Sequence, residues 1–379
     1  MHYEHLKPEH KALKEVAAKA AAQFIAPIVE KDEETGTFRP EIIKELGKLG
    51  LTGVPTPEAY GGAGLGYFEY CIALEELAAV SGAYAVSVAV SGLPQVILSL
   101  YGNEVQKKKY IPRLASGEAV GAFSLSESSA GSDAAGLKTK ATKHGDEYVL
   151  NGTKLWTTQG NVAETVVVFA RTGGDGPKGV SAFIVEKDTP GFRAGKKEAK
   201  MGMNISPTCE MILEDVKVPA QNLIGREGQG LKIALSALDS GRITIAATAI
   251  GVARAALEYS TQYSKGRTQF GKAIAEFQGI QFMLADMATA LEASRLLVFR
   301  AAELRDQKLP FTMQAAMAKM FATDSAMKIT TDAVQILGGN GYVREYPVER
   351  YMREAKAAQI VEGTNQIQRM IIGRALTKD

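Results

Sequence analysis

A chain of 379 residues has the length of two to three domains, and 46% hydrophobic with 23% charged residues is the composition of a soluble globular protein with ample apolar material for a core. Forty-four basic residues against 42 acidic ones leave a net charge of +2, which argues against nucleic acid or a membrane surface as a partner and makes any anion site a local one. Two cysteines without a Cys-x-x-Cys pair, and four histidines without a cluster, argue against a disulfide framework and against a metal site, and fit a reducing, cytoplasmic setting.

Met1 to His10 is polar and lacks the apolar core of a secretory signal. Residues 1–118 read as an N-terminal helical domain. Leu13, Val16 and Phe24 fall at helical spacing within Lys11 to Ile28, Pro40 opens a helix that stops before Gly50, and Asn103 caps another from Glu104 to Leu114. Between Tyr67 and Val80 lies a further helix. Val80 to Asn103 has no charged residue, but Ser81, Gly82, Ser87, Ser91, Gly92, Pro94, Gln95 and Ser99 dilute it, so the expectation is two buried helices broken at Gly92-Leu93-Pro94 and no membrane span. Gly61-Gly62-Ala63-Gly64 lacks the Gly-Lys-Ser/Thr and the strand–helix context of a phosphate loop, and reads as a turn.

The pattern changes at Glu118. Over 119–225, short runs rich in Val, Thr, Phe and Ile alternate with turn signals such as Asn151-Gly152 and Thr189-Pro190-Gly191, which predicts a central β-domain, sandwich or barrel. It holds two segments of chemical interest, Phe123-Ser-Leu-Ser-Glu-Ser-Ser-Ala-Gly-Ser-Asp133 and Lys154-Leu-Trp-Thr-Thr158. A planar ligand held edge-on needs backbone donors, hydroxyls and a ring to pack against, and these offer all three. An ordinary core Trp beside a Ser-rich loop fits the same residues.

Residues 226–379 read as a C-terminal four-helix bundle. Leu231, Leu235, Leu238, Ile245, Val252 and Ala256 form one stripe, with Asp239 and Arg242 at i,i+3 on the same helix; Ile280 to Leu304, Thr312 to Leu337 and Val348 to Leu376 supply the rest. The last region is interrupted by Ile360-Val-Glu-Gly-Thr-Asn-Gln-Ile-Gln368, which sets the Glu362 carboxylate among Ile360, Val361 and Gly363, with Arg353 and Arg369 at a distance. Burial of this turn would raise the pKa of Glu362 and make it a better proton acceptor. Gly363 permits close approach of a ligand, while Thr364 and Gln366 add a hydroxyl and an amide. A loop glutamate in water is the other reading of these residues.

Glu362-Gly-Thr followed by Ile367-Gln-Arg369, and preceded by Gln335-Ile-Leu-Gly-Gly-Asn-Gly-Tyr342, resembles the C-terminal part of the acyl-CoA dehydrogenases, and matching segments run over nearly the whole chain. The resemblance implies an α+β fold of helical, β and helical-bundle domains, FAD as cofactor and an acyl-CoA substrate. Glu362 then takes the α-proton, aided by its own backbone N–H and a flavin hydroxyl at the thioester carbonyl. Phe123, Leu125, Ser126, Trp156 and Thr158 contact the flavin ring, and Thr364 and Gln366 make further FAD contacts. Arg267, Gln269, Phe270 and Gln278, with Gln335, Gly338 and Gly339, reach the FAD of a neighbouring subunit. Ser132, Asp239, Arg242 and Gly363 meet the substrate.

A homotetramer that passes electrons to electron-transferring flavoprotein is also implied, as is the short-chain, butyryl-type branch, because Gly241 stands where some relatives carry the base. The chain departs from the family pattern twice. Ser128-Ser129 replaces a Pro after Glu127, and Val361 stands where Tyr is common, which would remove a ring from the acyl pocket. An acyl-CoA oxidase, an enoyl-CoA reductase with a bifurcating partner, and a non-catalytic FAD-binding scaffold are the alternatives.

Overall fold

The computed structural model of the chain describes residues 6–377. Six helices come first: α1 (Pro8–Ala20), α2 (Val29–Thr35), α3 (Pro40–Lys48), α4 (Tyr67–Val80), α5 (Gly82–Tyr101) and α6 (Glu104–Ala115). Their ends follow local chemistry. Asn103 Oδ1 accepts the Gln106 N–H at 2.9 Å while the Gln106 side chain accepts the Asn103 N–H at 3.0 Å, a closed capping box at the start of α6.

No break occurs at Gly92-Leu93-Pro94; α5 runs through Pro94 to Tyr101, and the punctuation lies upstream, where Ser81 caps the helix by accepting the Tyr84 N–H. An interior proline typically costs about 3 kcal/mol or more. Leu93, Pro94, Gln95, Val96, Ile97 and Leu98 are all buried, so packing on both sides holds the helix through the lost hydrogen bond.

The central strands are β1 (Gly121–Ser124), β2 (Lys140–His144), β3 (Glu147–Thr158), β4 (Thr165–Arg171), β5 (Val180–Glu186), β6 (Phe192–Lys197), β7 (Thr208–Pro219) and β8 (Leu223–Ile224). They form one eight-stranded sheet in the order β6-β7-β3-β2-β4-β5-β8, with β1 parallel beside β4. β4 reads Thr-Val-Val-Val-Phe-Ala and is buried on both faces, as an inner strand covered by helices must be. The register of β3 against β7 slips between Lys154/Met211 and Thr157/Cys209, a bulge centred on Leu155 and Trp156.

The third part comprises α7 (Gly230–Gly266), a hairpin of β9 (Thr268–Gln269) and β10 (Lys272–Ala273), α8 (Gln278–Asp306), α9 (Thr312–Leu337), α10 (Val348–Ala358) and α11 (Asn365–Thr377). α7, α8 and α9 pack together, α10 and α11 lie across α9, and α4 and α5 cover α7 from the N-terminal side. Helical part, sheet and bundle thus follow one another as expected. By length and composition α5 and α7 could each cross a membrane, but their most apolar windows are 83% and 78% buried inside the protein.

Candidate active site

Helix α10 ends at Ala358, and the chain must turn before α11 restarts at Asn365. The N–H of Val361 donates to the Ala357 carbonyl and that of Asn365 to the Gln359 carbonyl, both at 3.1 Å; between them, among the described residues, the N–H of Glu362 meets no backbone acceptor. Glu362 and Gly363 both adopt left-handed backbone, with φ of 57° and 86°. For a side chain with a Cβ this costs about 1–2 kcal/mol, so the turn needs support. Gln368 gives it by donating to the Gly363 carbonyl at 2.8 Å, and Lys319 on α9 donates to the same oxygen at 2.9 Å and to the Gln359 carbonyl at 3.2 Å.

The turn drives the Glu362 carboxylate against Gly241 on α7: a Cβ at position 241 would lie 2.5 Å from Oε2. Although Glu362 as a residue keeps some exposure, Oε2 has none and finds no hydrogen-bond partner in the chain. Burial therefore governs its acidity, raising its pKa to about 7 against the opposing pull of Arg242 and Lys319.

Gly241 also forms part of the wall of a cavity of about 360 Å³ between α4, α5 and α7, with Tyr67, Tyr70, Ala89, Leu93 and Val96 among its lining and Arg305 and Lys308 at one side. Its polar members are largely satisfied within the protein, Thr56 donating to Gln95 at 2.6 Å and Gln95 to the Thr52 carbonyl at 3.0 Å. Val361 does not line this cavity and is 40% exposed, because the left-handed turn sends its neighbour inward instead. The expected effect of Val361 on an acyl pocket therefore has no counterpart in this cavity.

On the same helix Asp239 and Arg242 form an ion pair, and Thr312 donates to Asp239 Oδ2 at 2.7 Å. Burial raises the Asp239 pKa despite Arg242. Arg242 is 4% exposed and its Nε lacks a partner within the chain.

The two sequence segments of the β-domain do meet. Leu155 N–H donates to the Ser126 carbonyl at 2.8 Å, the Ser124 and Thr157 hydroxyls are 2.8 Å apart, and Lys154 Nζ donates to the Leu125 carbonyl at 3.1 Å. Lys154 is fully buried and paired at 2.7 Å with Glu127, which also accepts the N–H groups of Lys138 and Thr139. Ser128 and Ser129 are the exposed middle of a tight turn closed by Glu127 and Ala130, so the departure from proline leaves Glu127 pointing inward.

In the β3 bulge Trp156 takes φ of 61° and is 59% exposed. A tryptophan in left-handed backbone, largely uncovered by its own chain, two residues from the half-buried Thr158 and linked through Leu155 to the half-buried Ser126, fits a planar ring system of flavin size.

The other expected residues, Thr364 beside Glu362 excepted, lie on the surface. Ser132 is exposed on its loop. Arg267, Gln269 and Phe270 form an exposed arm, Phe270 being 94% exposed, with Gln278 exposed after it. Gln335, Gly338 and Gly339 are exposed at the end of α9. Arg267 and Asn340 nevertheless share a hollow of about 430 Å³ with Tyr259, Tyr263 and Tyr346. Thr364 immediately precedes α11, its Oγ1 accepting the Ile367 N–H at 3.4 Å, and Gln366 is exposed.

Three residues have roles that the sequence alone does not reveal. Lys319, 0% exposed, sits beneath the Glu362 turn, and the Lys154–Glu127 pair anchors the Phe123 segment. The signal for Lys319 was a lone charge in Ala315-Ala-Met-Ala-Lys-Met-Phe-Ala322, where every neighbour is apolar.

Family models match all three parts of the chain: acyl-CoA dehydrogenase N-terminal domain over 7–118, middle domain over 122–216 and C-terminal domain over 228–377. An acyl-CoA dehydrogenase of Bacillus subtilis is 49% identical over 374 residues, covering 98% of this chain and 99% of its own. The solved butyryl-CoA dehydrogenase of Megasphaera elsdenii superposes with a TM-score of 0.97 at 45% identity, covering 100% of both chains. A chain solved in work on the electron transferring flavoprotein of Acidaminococcus fermentans and flavin-based electron bifurcation gives 0.97 at 47% identity, again over 100% of both. A glutaryl-CoA dehydrogenase of Mycobacterium smegmatis in complex with FADH2 gives 0.94 at 33% identity, over 98% of this chain and 95% of that one.

Proposed function

The chain belongs to the acyl-CoA dehydrogenase family, and on that premise we propose which of its residues do what. It is an FAD-dependent oxidoreductase that introduces an α,β double bond into an acyl-CoA thioester. Glu362 is the base that removes the α-proton. The observation that carries this is the Glu362 Oε2 atom, which is buried and unpartnered against Gly241 at the cavity wall. A pKa of about 7 places it where a carboxylate is both partly ionised and basic near neutral pH.

The Glu362 N–H is free of backbone acceptors and serves the thioester carbonyl as negative charge builds there; a donor of that kind contributes about 3–4 kcal/mol. FAD, when bound, supplies the hydride acceptor for the β-carbon. Phe123, Leu125, Ser126, Trp156 and Thr158 hold its ring, with Thr364 and Gln366 close by. Arg267, Gln269, Phe270, Gln278, Gln335, Gly338 and Gly339 serve the FAD of a neighbouring subunit in a homotetramer, which accounts for an exposed arm ending in a bare phenylalanine. Asp239, Arg242 and Ser132 hold the CoA arm, and Gly363 borders the thioester.

Similarity to the butyryl-CoA dehydrogenase supports a short-chain acyl-CoA as substrate, and similarity to the Acidaminococcus chain supports an electron-transferring flavoprotein as the partner. Domain limits of 1–118, 119–225 and 226–379 are part of the same reading.

Glu362→Gln tests the central assignment. The amide keeps shape but accepts no proton, so acyl-CoA and FAD binding should survive while anaerobic flavin reduction slows by at least about 10³-fold, a loss near 4 kcal/mol. Bleaching at close to the wild-type rate across a panel of acyl-CoAs would place the base elsewhere. Subsequent mixing with oxygen or with a flavoprotein acceptor separates dehydrogenase from oxidase.

A further inference from the structure

Lys319 touches both ends of the turn carrying Glu362 and holds backbone carbonyls at each. From the buried face of α9 its Nζ donates to the Gln359 carbonyl at the end of α10, to the Gly363 carbonyl, and to Asn365 Oδ1 at the start of α11, at 3.2, 2.9 and 2.8 Å. Three oxygen acceptors use all three protons of an ammonium, and a neutral amine has only two. The shell around it is closed: Asn365 donates onward to Thr323 at 2.9 Å and to Asp324 at 2.6 Å, Gln359 also donates to Asp324, and Arg369 on α11 holds the second Asp324 oxygen at 3.0 Å.

We propose that Lys319 is a positioning residue for the base: its ammonium clamps the left-handed Glu362–Gly363 backbone through the Gln359 and Gly363 carbonyls and brings a positive charge to the carboxylate, favouring the ionised form that accepts the proton. This rests on the reading of Glu362 as the base. The charged groups that act on Glu362 are Arg242 from α7 and Lys319 from α9; those that act on Lys319 are Glu362 and Asp324, with Arg242 opposing. Burial pulls Lys319 down to about 7, against Glu362 and Asp324, while its three acceptors favour the protonated form. Arg242 alone could lend Glu362 a charge, but it holds no atom of the turn's backbone among the hydrogen bonds described.

Two substitutions separate the clamp from the charge. Lys319→Gln keeps a donor and loses the charge, so the acid limb of flavin reduction should move up by about one pH unit, roughly tenfold slower at pH 6 and near wild type at pH 9. Lys319→Met loses both, and should slow reduction at every pH in addition to shifting the limb. Glu362's own titration, followed by the infrared carboxyl band that Glu362→Gln abolishes, should move up with Lys319→Gln and gives a readout independent of turnover. A folded Lys319→Gln protein with an unmoved acid limb and an unmoved carboxyl band overturns the proposal and leaves Glu362 as base untouched; a fully active Glu362→Gln protein overturns the base reading instead. Should both lysine variants fail to fold, ¹³C NMR of ε-labelled lysine in the wild-type holoenzyme decides: an ammonium at pH 6 is expected, and a neutral amine there overturns the assignment.

Discussion

Gly241 and Glu362 compete for one volume: a Cβ on Gly241 would lie 2.5 Å from Oε2 and 2.8 Å from the carboxyl carbon of Glu362. Helix α7 thus reserves a glycine-sized notch for a carboxylate delivered from the turn after α10. Gly241→Ala should push that carboxylate off its position, lowering the rate of flavin reduction by at least about tenfold, since small misplacements of a reacting group are costly. Stopped-flow bleaching with a short-chain acyl-CoA measures it, and FAD content should stay unchanged. The same proximity predicts that Gly241→Glu in a Glu362→Gly background regains part of the rate lost by Glu362→Gly alone, because the new side chain enters the space the old one leaves. No regain in a folded double variant would mean that the two positions do not share one reacting geometry.

Lys154 and Glu127 should matter more to folding than their place in the sheet suggests. Burial pushes Glu127 up, but Lys154 and the surrounding donors outweigh it and hold its pKa below the usual carboxylate range. Burial also draws Lys154 down to about 8. Lys154→Met would leave Glu127 buried with its N–H donors but without its cation, a loss of about 3–5 kcal/mol for breaking a buried pair. The same change frees the Leu125 carbonyl, so FAD retention should fall along with the unfolding midpoint. Thermal unfolding and the ratio of flavin to protein absorbance check both, and Lys154→Met with Glu127→Gln should recover part of the stability.

Legibility in the sequence followed the range of each interaction. α9 has the bounds its pattern predicts, Thr312–Leu337, because neither Gly nor Pro interrupts it before Gly338; the Asn103 cap needed only Gln106 three residues on. Pro94 misled because its local rule was overridden by burial on all sides, which the helix itself does not encode. The apolar neighbours of Glu362 hinted at a buried base, but its contact with Gly241 and the support from Lys319 join residues far apart in the chain. Trp156 was legible as a ring, not as a bulge, since the slip in register depends on the partner strand β7.

Arg267 lines the hollow formed with Tyr259, Tyr263, Asn340 and Tyr346, on an exposed arm. A guanidinium placed there is suited to the paired oxygens of a diphosphate. Arg267→Ala should lower FAD retention after gel filtration by several-fold and shift the oligomer toward smaller species in sedimentation velocity. A stable, fully flavinylated monomer of the wild-type chain would refute the cross-subunit role.

The raised pKa of Glu362 also makes a prediction about stability whose sign differs from that of an ordinary salt-bridged carboxylate. Its usual value is 4.5 and its folded value about 7, so between these limits the folded chain binds more protons than the unfolded one. Stability therefore falls as pH rises through that window, and above pH 7 the buried charge is a fixed cost of up to about 3 kcal/mol. Glu362→Gln removes that cost. The variant should match the wild type near pH 4 and exceed it progressively up to pH 8, with the gap in unfolding midpoint opening between pH 5 and 7, measured on the ligand-free holoenzyme by differential scanning calorimetry. A constant gap across that range would show that Glu362 does not titrate as a buried carboxylate, and the acid limb of the rate profile would then need another owner.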